Sequence, residues 1–125
     1  MSRMITAITI FLTVIGLSIC ESVYTINVSE DVKSVLNSSV EAYNDGDEEN
    51  AMESIKEAEE VWDKNSAFLE AFLIHDNIEE IAEKITIAEK TLKYDHEHFP
   101  IECEGAIASL KVMIYSMLPY VDNIL

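Results

Sequence analysis

Ala71, Ile74, Ile78, Ile81, Ile85, Ala88 and Leu92 follow one another at alternating intervals of three and four. That spacing is one face of an α-helix packed along its length against another helix. Cys103, Ile107, Leu110, Ile114, Met117 and Val121 keep the same rhythm, which predicts an antiparallel partner. Shorter stripes come earlier in the chain: Val32, Leu36, Val40 and Tyr43, then Ala51, Ile55, Ala58 and Trp62.

The boundaries follow from capping and breaking residues. Ser29 before Glu30 and Asp31 predicts an N-cap with acids in the first turn, opening a helix from Glu30 to Tyr43. Asn44 to Asp47 predicts a turn, with Gly46 at positive φ and Asp47 capping a second helix from Glu48 to Asp63. Lys64, Asn65 and Ser66 read as a break, with Ser66 capping a long third helix to Tyr94 whose start is broadened by Phe68, Leu69, Phe72 and Leu73. Asp95 to Pro100 reads as a loop, and Pro100 favours a helix start. Pro119 then ends or kinks the fourth helix, leaving Tyr120 to Leu125 as an apolar tail that folds back on the core, with a docking tag as the alternative.

Ahead of these stripes lies a segment of another kind. Met4 to Cys20 contains no charged residue and is apolar all round, behind Arg3 and ahead of every acid in the chain. Seventeen helical residues cover about 26 Å, within the range of a membrane-spanning helix. We expect an uncleaved anchor that contacts lipid through residues 4–20. The alternatives are a cleaved secretory signal, lipidation of Cys20, or a buried core helix of a cytosolic protein. Arg3 and the amino terminus favour a single pass with the N-terminus inside the cell membrane and the C-terminal domain outside. Signal cleavage would leave a secreted domain instead. The fold class is therefore all-α, an N-terminal transmembrane or signal-anchor helix (residues 1–28) followed by a small antiparallel bundle of about four helices (residues 29–125).

Composition narrows the function classes. Three Gly and two Pro in 125 residues supply little turn chemistry for a sheet. From Glu21 onward 24 acids stand against seven lysines, a formal charge of −17. No basic cluster is available for phosphates, which argues against nucleic acid and against anionic lipid heads. The charge reads as a solvated surface that keeps the domain soluble. With only Cys20 and Cys103, no disulfide framework is expected, and Cys103 reads as an apolar core residue.

Candidate chemistry is sparse. Asp95, His96, Glu97 and His98 are the densest group of metal-capable side chains, but a site needs three or four convergent ligands. A calcium loop starting at Asp45 fails, because Asn50 stands where glycine belongs and Lys56 where a bidentate glutamate belongs. No nucleophile with a base, no paired catalytic carboxylates and no phosphate loop can be assembled, so the chain is not expected to be an enzyme and no cofactor or metal is assigned. His75 and Asp76, beside the third helix's stripe and near Trp62, are candidates for a proton-sensitive or ligand-contacting group, or for half-buried packing.

The first two helices, joined by an Asp-Gly turn and lined with alanines, resemble a single tetratricopeptide-type hairpin without a second copy. The chain as a whole resembles a family of small single-anchor helical membrane proteins from spore-forming Gram-positive bacteria whose function is unknown. The residues carrying the resemblance are the apolar amino end, Asp45-Gly-Asp-Glu-Glu-Asn-Ala51, Trp62 with Lys64, the stretch from His75-Asp76 through Ile78-Glu79, and Pro119 with Asn123-Ile-Leu125. The resemblance implies a tethered helical domain and no established activity, and raises Trp62, His75 and Asn123 as contact or packing positions. The expected function is a membrane-anchored, extracytoplasmic binding or accessory protein that assists another membrane or envelope protein through an apolar groove beside the third helix. The alternative is a sensor domain responsive to pH or divalent cations.

Overall fold

A computed structural model of the chain describes the backbone of residues 1–71 and 75–124 and the side chains of residues 1–71 and 77–115. Among the described residues there are α-helices, one 3-10 turn and no strand: α1 (Ser2–Asn44), α2 (Glu48–Leu69), α3 (His75–Tyr94), the turn His96–His98, and α4 (Phe99–Ile124). Helix α1 packs on α2 and α4, and α3 packs on the same two. The result is an up-down-up-down bundle with short connections, the arrangement expected of four amphipathic helices that each present one apolar stripe.

Helix α1 is the main departure from the sequence reading. Anchor segment and first bundle helix are one unbroken helix of 43 residues, about 64 Å long. Neither Gly nor Pro occurs between Gly16 and Gly46, so nothing in the backbone forces a break. Ser29 is therefore not an N-cap. It lies in mid-helix, fully buried, and its hydroxyl has no hydrogen-bond partner. Residues 1–20 are all exposed, and the first buried residue of the helix is Thr25. The hydroxyls of Thr6, Thr9 and Thr13 each donate to the carbonyl four residues back at 2.8 Å, which satisfies them without water.

The turn after α1 forms as its residues dictate. Gly46 has φ +83°, and the Asp47 side chain accepts from the Asn50 amide at 3.1 Å as the N-cap of α2. The break expected at Lys64 to Ser66 is absent. Asn65 Nδ2 donates to the Val61 carbonyl at 2.7 Å and Ser66 Oγ to the Asp63 carbonyl at 2.9 Å, so both polar residues bond into the helix they were expected to interrupt. Helix α2 runs on to Leu69, which is fully buried. Helix α3 accordingly starts at His75, and Ala71 lies in the turn rather than on the α3 stripe. Phe72, Leu73 and Ile74 lie outside the described residues.

Helix α4 continues across Pro119 to Ile124, so of the two expected outcomes the proline does not end the helix. A proline forfeits its own N–H bond, and here the helix goes on without it. The side chains of the expected tail lie outside the described residues. Phe99, placed by its sequence context in a loop, is fully buried with its ring centroid 5.4 Å from that of Tyr43. The core runs through Val32 and Leu36 of α1, Ile55 and Trp62 of α2, Ile78 and Ile85 of α3, and Cys103 and Leu110 of α4.

Candidate functional site

Of the four singled-out positions, Trp62 has a described side chain, and its surroundings are those of a packing residue. It is 1% exposed, and its indole Nε1–H donates to the Ile78 carbonyl at 3.1 Å, which ties α2 to the start of α3. The backbones of His75 and Asp76 open α3, and that of Asn123 lies in the last turn of α4. Their side chains lie outside the described residues.

The His-x-His turn is occupied with local bonding. His98 Nδ1 is 2.8 Å from Asp95 Oδ2, and this bond, aided by the aspartate's charge, raises the imidazole above its ordinary 6.5. His96 Nδ1 faces the Tyr43 hydroxyl at 3.3 Å, so the two rings point to different partners. Among the described residues no three His, Cys, Asp or Glu side chains converge as metal ligands would. Cys103 is buried, and desolvation, with a contribution from the Glu102 charge, pushes its thiol from 9.0 up to about 12. Such a thiol is no nucleophile.

One titratable pair escaped the sequence reading. Glu59 of α2 hydrogen-bonds to Glu89 of α3, which packs beside it. Burial, the hydrogen bond to Glu89 and the glutamate's charge raise Glu59 from 4.5 to about 7. Glu89 accepts that bond, lies 3.5 Å from Lys93 Nζ, and is held below its ordinary value. Two carboxyls that share one proton hold it more tightly than either alone. Both residues are half-buried and stand in sequence among many other glutamates, so sequence alone had no means of pairing them.

A surface groove lies between α3 and α4. An open groove of about 460 Å³ is walled by Asn77, Glu80, Ile81 and Lys84 on one side and by Gly105, Ala108, Val112 and Met113 on the other. Lys84 Nζ crosses it, donating to Ser109 Oγ at 2.7 Å and lying 3.5 Å from Glu80 Oε1. The groove lies beside the third helix and has mixed walls, with Asn77, Glu80, Lys84 and Ser109 among the apolar residues. Along its α4 edge runs a second stripe, Ile101, Gly105, Ala108, Val112 and Tyr115, on the outer face of the helix. Ile101, Val112 and Tyr115 are 64%, 69% and 64% exposed. Its intervals of four, three, four and three run through the sequence beside those of the inner stripe of the same helix. Comparison with known family models, curated proteins and solved structures returned no match. The described groups offer contact area and one proton-sharing pair.

Proposed function

We propose that the chain is a membrane-anchored helical binding protein that stands outside the cell membrane and engages a protein of the membrane or envelope through the α3–α4 side. One observation carries this reading. The first twenty residues are wholly exposed and carry a single charged side chain, Arg3, while the same helix goes on without a joint to form a quarter of the bundle. Helix α1 is long and apolar enough to cross a bilayer. Exposed apolar area of this extent is stable only against lipid or another protein. Continuity gives the anchor a second role, because a helix without a linker holds the bundle at a set angle to the bilayer. Arg3 at the amino end supports the N-inside orientation. The resemblance to small single-anchor proteins fits the same layout.

Alkaline extraction of membranes tests the anchor, and a reporter fused after Leu125 tests the orientation. Release by alkali, or activity of the reporter confined to the cytoplasm, would overturn the reading. A photocrosslinker at Val112 tests the contact face. A discrete adduct is expected there and none from Lys56 on the opposite side of the bundle.

A second reading has its own observation. The Glu59–Glu89 pair, with its proton lost near pH 7, favours a proton-responsive domain over one that answers divalent ions. Its test is the pH dependence of stability described below.

A further inference from the structure

The outer face of α4 is complementary to itself. We infer that it pairs, antiparallel, with the α4 of a second copy of this chain. The inference rests on the reading of the α3–α4 side as the contact face and names the occupant.

Antiparallel helices that meet through a stripe of alternating threes and fours place each member of one stripe opposite a neighbouring member of the other. With the two-fold axis between Gly105 and Ala108, Gly105 meets the partner's Ala108 at the crossing and Ile101 meets the partner's Val112 at each end. Small residues thus coincide where the helices must come closest. A Cβ placed on Gly105 would meet nothing within 4 Å, so this position is open to an approaching helix. Larger side chains close the two ends, where exposed Ile101 and Val112 gain the most from cover.

Charge selects the same arrangement. On the flank of the stripe, Glu104 lies one residue before Gly105, and Lys111 one residue before Val112. Antiparallel pairing brings Glu104 of one copy opposite Lys111 of the other, and the two-fold repeats the pair. Both are exposed, and among the described residues neither forms an ion pair within the chain. In-register parallel pairing would set Glu104 against Ser109 and leave Lys111 without an acid. The chain as a whole would repel its copy, but between Phe99 and Tyr115 the only charged residues are Glu102, Glu104 and Lys111. This is the least acidic long face of the bundle, and a single helix pair places the contact at the small end of specific interfaces.

Geometry adds a consequence for the anchored protein. Tyr43 and Phe99 touch, so α4 runs antiparallel to α1 from a known level. Pairing α4 antiparallel then sends the two anchors in opposite directions, with Cys20 of each copy about 45 Å apart along the axis at 1.5 Å per residue. Paired copies therefore belong to two facing bilayers.

The test uses the full chain in detergent with Cys20→Ser, keeping buried Cys103. Ile101→Cys and Val112→Cys are made on separately tagged chains, mixed and gently oxidised. The expected result is a disulfide between the two different chains and none when either is oxidised alone. Glu104→Lys or Lys111→Glu should each lower that yield about tenfold or more, and the double exchange should restore it. Self-crosslinking of each single variant would indicate parallel pairing and overturn the proposal, as would a yield indifferent to the charge exchange or no disulfide at all. In membranes, an adduct from Val112 to a different protein alone would remove self-pairing while leaving the proposed function standing. Absence of every adduct would remove both.

Discussion

Replacing Ser29 by alanine separates two structures of the same residue by the sign of one measurement. As an N-cap, Ser29 would bond an amide of the first turn, and its loss would cost about 1 kcal/mol. In the continuous α1 it is fully buried and its hydroxyl has no partner. Removing an unpaired buried hydroxyl then returns about 1 kcal/mol of desolvation, and alanine adds roughly 0.5 kcal/mol of helix propensity over serine. The expected outcome is a variant about 1.5 kcal/mol more stable, a rise in Tm near 6 °C for a bundle of this size. Ser29→Gly serves as the control. Glycine is nearly harmless at a cap, whereas in mid-helix it should fall about 1 kcal/mol below alanine. Urea denaturation of the full chain in mild detergent, followed by far-UV circular dichroism, gives both numbers. A destabilised Ser29→Ala beside a neutral Ser29→Gly would refute the unbroken helix, and with it the rigid link between anchor and bundle.

Three further outcomes follow from the packing and the titrating groups. Trp62→Phe should lose about 1 kcal/mol for its hydrogen bond to Ile78 and about 1 kcal/mol for the vacated volume. Emission of this single tryptophan should also resist acrylamide, and a readily quenched fluorophore would mark Trp62 as a surface contact. Because Glu59 near 7 binds its proton more tightly than a free carboxyl at 4.5, stability should fall as pH rises from 5 through 7 and level off above. Glu89 shifts the other way, and its effect is confined below about pH 4.5, outside that window. Glu59→Gln should flatten the profile and exceed the parent at pH 8 by about 1 kcal/mol, the screened value for a partly exposed pair; an unchanged slope would dissolve the pair. His98 should titrate above 6.5 by NMR, with the stabilising charge present below that value and lost as pH rises through the folded one, and Asp95→Asn should move it down. An unmoved His98 would show that Asp95 is not its partner.

Periodicity made the all-α class, the stripes of α2 to α4 and the apolar character of residues 4–20 legible in the sequence, because helix faces repeat every three to four residues and burial follows them. The Asp-Gly turn was equally legible, since Gly46 alone supplies the positive φ and Asp47 the cap. Helix ends were not. Ser29 and Ser66 are residues that serve as caps or lie inside helices with similar ease, and the packing of the whole bundle rather than the local sequence places both within a helix. Local sequence likewise could not place Phe99, whose burial depends on Tyr43 lying across from it. Nor could it select Glu59 and Glu89 from so many glutamates, because a proton is shared only between groups that the bundle brings together. What the sequence determined by itself are the properties of single helices, their faces and their charge. Tertiary structure decided which polar groups lost water, that α1 passes without interruption from its exposed apolar half into the core, and that α4 keeps a second apolar face uncovered, since each of these depends on what stands opposite.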